Sequence, residues 1–388
     1  MSVIQKKIGI VGGGQLGKMM ILEAKRLGFY VAVLDPTADC PAHSICDEHI
    51  IADFDKQGGY FELAKKVDVV TYEFEHINAD ALAILEDEGH LVYPSVKSLK
   101  TIQNKFTQKT VLQQHGLPVP RFERVSRVED IHRLAGDFGF PVMLKAATGG
   151  YDGKGNALIR DGSEAQAAFE RLGGGTRQLM VEEYIDFETE ISVVACRGIN
   201  GARVIYPVAE NIHKNSILDT TIVPARISPE AIEKAREIAD KVMEVFEGVG
   251  TFCVELFVSK GDNGGEIYVN EVAPRPHNSG HYTIEGCFAN QYENHIRAIV
   301  GLPLGNVDLL QPTVMVNLLG VSDGKTEVDR LEEAYADGKV HVHLYGKSEC
   351  RLGRKMGHFT VIGDNLNNTV ERAEKIKEIL RVAGRADS

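Results

Sequence analysis

The chain has no long apolar run, few cysteines and no surplus of positive charge. No stretch approaches the roughly 20 apolar residues that span a bilayer, and very few apolar residues precede the first glycine cluster, so neither membrane insertion nor secretion is expected. The six cysteines (Cys40, Cys46, Cys196, Cys253, Cys287 and Cys350) form no CxxC pair. That argues against a zinc site and a disulfide framework and fits a reducing cytoplasm. Asp and Glu number 55 against 43 Lys and Arg, a net charge of −12. Such a balance speaks against general binding of nucleic acid or anionic membranes and leaves small anionic ligands, held by local basic clusters, as the expected partners.

The composition, 43% hydrophobic and 25% charged, is that of a globular protein, and 388 residues predict two or three domains at roughly 150 each. Glycine is in excess, 39 residues clustered at 12–17, 149–155 and 173–175. A strand over 7–11, a helix over 15–28 and a strand over 29–34 make a βαβ unit, which further strands at 67–71 and 91–93 and a helix at 79–87 extend to about residue 100. A helix over 96–115 follows. Shorter strands (142–146, 156–159, 178–182) with helices at 128–138 and 163–172 then suggest an α+β insert. The remainder predicts strands at 192–196, 251–259 and 266–272, helices at 229–247 and 284–300, and a terminal helix over 369–382.

Four segments carry candidate chemistry. Gly12, Gly14 and Gly17 form GxGxxG between strand and helix, with Asp35 at the end of the next strand. This geometry suits a phosphate at a helix N-terminus and, taken alone, either a dinucleotide site or close strand-to-helix packing. Lys145 precedes the glycine-rich TGGYDGKGN (148–156), a mobile lid whose amides can close over phosphates, or else an ordinary hairpin. It is no Walker A loop, because a strand rather than a helix follows. Two apolar strands joined by KGDNGG set Glu255 opposite Glu271 in a hairpin centred near Asn263. Facing carboxylates are unfavourable without a cation, and oxygen donors on rigid strands suit Mg²⁺, with Asn270 as a neighbouring donor. A register slip of one residue would instead send one acid into solvent. Ala273–His281 (APRPHNSGH) adds a dense polar loop, and GKSECRLGRKMGH (346–358) gathers Lys347, Arg351, Arg354, Lys355 and His358 into either a solvated face or a phosphate pocket.

Together these features resemble the ATP-grasp superfamily over nearly the whole chain. Within it, GGGQLGKM (12–19), TGGYDGKGN (148–156), NEVAPRPHNSGHYT (270–283) and GRKMGH (353–358) closely resemble the PurK family of 5-(carboxyamino)imidazole ribonucleotide synthases. The resemblance implies an α/β protein of three-domain ATP-grasp architecture. A Rossmann-like domain would span 1–103, a small α+β subdomain with the lid 104–185, and a large subdomain with the metal hairpin and basic segment 186–388. It implies a ligase forming a C–N bond: ATP- and bicarbonate-dependent carboxylation of 5-aminoimidazole ribonucleotide through carboxyphosphate in de novo purine biosynthesis. Mg²⁺ or Mn²⁺ would be required, in a cytoplasmic homodimer.

Carried over by position, ATP would contact Lys105, Lys145 and the lid residues Gly150, Tyr151, Asp152, Gly153, Lys154, Gly155 and Asn156. Glu182, Glu183, Tyr184 and Ile185 would form the adenine hinge, Glu190 would hold the ribose, and His213 would lie near the nucleotide. Glu255, Glu271 and Asn270 would bind the metal, the last two also facing ATP. Arg275, His277, Asn278 and Ser279 would line the bicarbonate side. Gln15, Leu16, Glu73, Tyr151, Asp152, Lys347, Arg354 and Lys355 would bind the ribonucleotide, whose phosphate the glycine loop would help hold. The alternatives are a formate-dependent glycinamide ribonucleotide transformylase, whose loop resembles PRPHDTG where this chain has PRPHNSG (274–280), and an NAD-dependent oxidoreductase resting on the glycine loop and Asp35.

Overall fold

The computed structural model describes residues 3–150, 155–261 and 265–385. Strands Lys7–Val11, Tyr30–Leu34, Glu48–Ile50, Val69–Tyr72 and Leu91–Val92 form a parallel sheet. In spatial order it reads third, second, first, fourth, fifth. The order reverses between Lys7–Val11 and Val69–Tyr72, and such a switch point opens a crevice at the carboxyl ends of the strands. The segments leaving those ends are the glycine loop and Glu73.

A four-stranded antiparallel sheet follows, ordered Phe122–Val125, Leu179–Glu183, Val142–Ala146, Asn156–Ile159. Helices Val128–Phe138 and Ala165–Arg171 pack their apolar residues, Ile131, Leu134 and Ala168 among them, on its core. Beyond it runs a nine-stranded sheet from Ile267–Ala273 and Gly250–Ser259 through Phe187–Arg197, Ala209–Lys214 and Ile217–Val223 to Thr313–Leu319, Lys355–Ile362 and Val340–Leu344, with the short Arg203–Ile205 paired on Phe187–Arg197. Helix Pro229–Phe246, capped by Ser228 on the Ala231 amide, lays Ile238, Val242 and Met243 on Val193, Phe252 and Val254. The pairing of Ile217–Val223 with Thr313–Leu319 joins the C-terminal segment to the sheet that carries the acidic hairpin.

Three expected elements differ. The helix over 96–115 is two helices, Val96–Gln103 and Lys105–Gln114, because Asn104 is extended (φ −108°, ψ 107°) and its side-chain oxygen Oδ1 accepts from the Thr107 amide. The break starts a new helix at Lys105, whose own amide bonds Ala147 O. The helix over 284–300 is Thr283–Gly286 and Gln291–Val300, interrupted by a bridge from Cys287 to Leu309 and restarted by Asn290, which caps the Tyr292 and Glu293 amides. The terminal helix is Leu366–Ile379, and Arg381–Arg385 is a strand. That strand joins Gly324–Asp329 and Glu349–Cys350 in a small sheet whose short charged strands carry little apolar alternation.

Candidate active site

Glu255 and Glu271 are directly opposed across the hairpin, as the arithmetic of its centre predicts, with the tip 262–264 outside the described residues. The next pair is Leu256 with Val269, so Asn270 is the extra residue of a β-bulge. A bulge lets consecutive side chains share a face, and Asn270 and Glu271 both line the same cleft. The acids are held by cations: Glu271 pairs with Lys105, and His277 Nε2 lies 3.1 Å from Glu255. Burial would raise the Glu255 pKa, but His277, His213 and Lys105 outweigh it and hold the carboxyl well below its usual range.

Under the cleft floor, Glu182 sits between Lys145 (2.9 Å) and Lys109 (3.0 Å), all three nearly inaccessible to solvent. Burial and the Lys145 charge lower the Lys109 pKa to about 8 against the pull of Glu182. Lys145 also reaches Asn270 Oδ1 at 3.3 Å, which ties the small sheet to the hairpin. Of the expected hinge, Glu182 thus turns its side chain inward and Glu183 pairs outward with Arg121 at 2.8 and 2.9 Å. Tyr184 lines the cleft, with Ile185 half-buried beside it. Met143, Leu218 and the stacked Phe187 and Phe257 (ring centroids 4.8 Å apart) add an apolar wall. Glu190 and His213 form an ion pair at the rim; burial opposes the His213 charge, but Glu190 prevails and raises its pKa. Gly150 and Gly155 pinch the base of the lid, since a Cβ on Gly150 would come within 2.8 Å of Gly155 Cα. Tyr151, Asp152, Gly153 and Lys154 lie outside the described residues.

The polar loop closes the cleft from the other side. Arg275 grips Glu75 of the first domain through two hydrogen bonds of 2.5 and 3.2 Å. Burial would raise the Glu75 pKa, yet the guanidinium brings it down to about 2. Asn278 exchanges two amide hydrogen bonds with Asn317, at 2.9 and 2.8 Å. Ser279 is buried behind His277, 1% exposed. Two histidines of the expected polar and basic segments turn into the core. His281 and His358 are fully buried, with rings 4.5 Å apart and hydrogen bonds to Tyr292 and Tyr345. His358 is therefore no part of a basic cluster, since burial drives its pKa well down.

The glycine loop is also corrected. The amides of Gly14 and Gly17 donate to Glu73 at 2.5 and 2.7 Å, and that of Gly13 donates to Asp35 at 2.8 Å. These donors are spent on the chain's own acids, not on a phosphate. A Cβ on Gly12 or Gly14 would come within 2.3 or 2.6 Å of Glu73, which is the physical need for glycine there. Lys347 and Arg354 face the same loop across a cavity of about 310 Å³, lined also by Gln15 and Glu73. Gln15 and Glu73 line in addition the main cleft of about 710 Å³, together with Leu16, Lys105, Lys145 and Lys355. Burial and the neighbouring Arg354 lower the Lys347 pKa to about 8. The structure therefore brings most of the expected nucleotide, metal and ribonucleotide residues into two adjoining cavities, while Glu182, Glu183, Ile185 and Ser279 line neither. Glu75, Lys109 and Asn317 are not evident from local sequence, since their partners lie 39 to 200 residues away.

Residues 5–103 match the ribonucleotide synthetase preATP-grasp domain, 110–292 the ATP-grasp domain, and 313–372 the phosphoribosylaminoimidazole carboxylase C-terminal domain. The chain is 41% identical over 364 residues to N5-carboxyaminoimidazole ribonucleotide synthase of Staphylococcus aureus, covering 93% of this chain and 94% of that protein. The crystal structure of the Thermotoga maritima synthetase of that name superposes with a TM-score of 0.89 at 46% identity, covering 98% of this chain and 100% of that one. An Aspergillus clavatus synthase in complex with ADP and 5-aminoimidazole ribonucleotide superposes with a TM-score of 0.88 at 32% identity, over 97% and 98% of the two chains.

Proposed function

The chain belongs to the N5-carboxyaminoimidazole ribonucleotide synthase family, and from that premise we propose how its cleft divides the family's reaction among its residues. The protein is an ATP-grasp ligase of purine biosynthesis, carboxylating the exocyclic amine of 5-aminoimidazole ribonucleotide with ATP and bicarbonate and releasing ADP and phosphate. The formate-dependent transformylase is set aside in favour of this reading.

The observation that carries the division is that the two cavities adjoin through Gln15, Glu73 and Phe74. The adenine packs against Met143, Tyr184, Phe187 and Phe257, Glu190 and His213 take the ribose, and the phosphates point to Lys145, Lys105 and the lid. Glu255, Glu271 and Asn270 would hold Mg²⁺. The fit rests on the donors: hard oxygens on rigid strands, two of them acids balanced by Lys105 and His277, with His213 nearby. Among the described residues no group of three or more His, Cys, Asp or Glu is set for a metal, so the protein supplies only part of a coordination sphere, as suits an ion shared with phosphates. When bound, the ion neutralises charge on the triphosphate.

Bicarbonate is a poor electrophile. Its oxygen attacks the γ-phosphorus, ADP leaves, and the resulting carboxyphosphate breaks down to phosphate and CO₂. The ribonucleotide amine then attacks CO₂ and loses a proton as the C–N bond forms. Arg275, His277 and Asn278 bind the bicarbonate side, and the closed lid keeps water from the intermediate. Lys347 and Arg354 take the phosphate of the ribonucleotide, with Lys355 between the two cavities. The test is ADP release, measured with and without 5-aminoimidazole ribonucleotide and bicarbonate. Full release only with both supports the reading, and equal release with formate and glycinamide ribonucleotide overturns it. The reading includes a cytoplasmic homodimer, the assembly being open to test by sedimentation of the purified protein.

A further inference from the structure

Lys347 stands on a short segment that leaves strand Val340–Leu344 and meets the first domain on either side of it. Before it, Lys18 Nζ donates to the carbonyl oxygen of Tyr345 at 3.0 Å; after it, Ser348 Oγ donates to Asp39 Oδ2 at 2.9 Å on the exposed surface. The Tyr345 ring is buried in the apolar cluster around Leu16, Met19 and Met20 of the first domain. Gly346 follows with φ +80°, and the chain turns so that the Lys347 ammonium lies 5.5 Å from the centre of the Tyr345 ring and donates to the Lys355 carbonyl at 2.7 Å.

Lys18 is costly where it stands. It is the fourth residue of helix Gln15–Arg26, whose N-terminal dipole disfavours a cation. It is half-buried, burial lowers its pKa, and among the described residues no acid is paired with it. It lines neither of the two cavities. What it holds is the Tyr345 carbonyl, 327 residues away in the chain. A charge-assisted hydrogen bond to a carbonyl fixes the plane of the peptide that carries it. Here that peptide is the one between Tyr345 and Gly346, from which the left-handed turn departs. A Cβ on Gly346 would come within 3.3 Å of Lys18 Nζ, so the ammonium and the turn fit against one another. The Tyr345 ring sets where the segment enters the first domain, and its carbonyl sets which way the chain leaves.

We propose that Lys18 is a positioning residue for the carboxylation: by holding the Tyr345 carbonyl it sets the turn at Gly346 and so places Lys347 over the crevice of the first domain, where the ribonucleotide phosphate binds. This rests on the functional reading above, in which Lys347 takes that phosphate. The effect is confined to one substrate, because Lys105 and Lys145, the cations facing ATP, stand on other elements.

The test is a double-variant cycle read by ADP release from the full-length protein, with Lys18→Met, Lys347→Met and the two combined. Lys18→Met should raise the KM for the ribonucleotide about three- to tenfold, with kcat and the KM for ATP changed less than about twofold. Lys18→Arg keeps the charged donor and should restore most of the affinity. In the Lys347→Met background, Lys18→Met should raise the ribonucleotide KM less than about twofold, because the group it positions is gone. A wild-type ribonucleotide KM in Lys18→Met overturns the proposal. So does a loss spread equally over kcat and both KM values, which marks a general structural role, or a full effect that persists without Lys347, which marks a direct pull of the ammonium on the phosphate. If Lys347→Met leaves the ribonucleotide KM unchanged, the functional reading fails and the proposal falls with it. If Lys347→Met raises it and Lys18→Met does not, the positioning alone fails.

Discussion

Replacing Lys347 with Met should stabilise the unliganded protein and cripple its use of the ribonucleotide. The ammonium is held in a crowded place: it donates to the Lys355 carbonyl at 2.7 Å and lies 5.5 Å from the centre of the Tyr345 ring, with Arg354 lining the same cavity. Burial and Arg354 lower its pKa from 10.5 to about 8. At about 1.4 kcal/mol per pH unit the charge costs the folded state at most about 3.5 kcal/mol. Lys347 is only half-buried, which roughly halves that figure, and losing the bond to the Lys355 carbonyl returns part of it. A net gain of about 1 kcal/mol for Lys347→Met at pH 7 is expected. The sign follows from a folded pKa below the unfolded one. The wild-type penalty is full below pH 8, shrinks as pH rises from 8 toward 10.5 and then vanishes, so the advantage of Met must shrink over that window. Phosphate binding loses one of two cations, a cost of about 2 to 5 kcal/mol that raises the KM for the ribonucleotide at least about tenfold and leaves the KM for ATP nearly unchanged. Urea unfolding at pH 7 and pH 9.5 with steady-state kinetics measures both. A variant less stable than wild type at pH 7, or an advantage that grows with pH, refutes the reasoning.

Glu271→Gln should abolish ADP release while preserving the fold, because one carboxylate remains to hold the cation and Lys105 loses its charged partner; normal turnover at ordinary Mg²⁺ would remove the hairpin from the site. Glu75→Gln leaves Arg275 without a charge partner and should cost about 3 kcal/mol at pH 7, seen as a lower urea midpoint. Because Glu75 titrates at about 2, below its unfolded value, the wild-type advantage is full above about pH 4.5 and fades as pH falls toward 2. Titration calorimetry with NAD or NADP should show no binding, since the loop amides are already taken by Glu73 and Asp35; micromolar affinity would reverse that assignment.

The acidic pair was legible as two acids equidistant from a hairpin centre near Asn263, but the register that runs out from the tip (Val258 with Ile267, Leu256 with Val269) would set Glu255 opposite Asn270, and it is the bulge that brings Glu271 opposite Glu255. The bulge that turns Asn270 into the same cleft was not legible, since a one-residue irregularity leaves the apolar alternation on either side almost intact. The break at Asn104 had a local signal, an Asn able to cap the turn that follows it, but a continuous helical pattern over 96–115 ran through it and masked the cap. Arg275 was recognisable as a polar residue near the hairpin, whereas its partner Glu75 is fixed only by how two domains meet. Ser192 read as an ordinary strand residue and the strand holding Asn211 was not predicted, because a small polar side chain in a buried strand gives no sign of what it bonds.

The glycine loop shows how one crevice can serve two chemistries. In a dinucleotide site the free amides at the helix N-terminus take the pyrophosphate, and an acid on the second strand takes a ribose. Here the strand order and the switch point are kept, but Glu73, at the end of the strand across that switch point, fills the cradle that a phosphate would need. The crevice remains and its anion-binding capacity does not. On the proposed reading that capacity comes from outside the first domain, from Lys347 and Arg354, which line the same cavity on the segment joined to the acidic-hairpin sheet. A phosphate in this cavity would then be held by residues of the C-terminal segment against the crevice of the first domain.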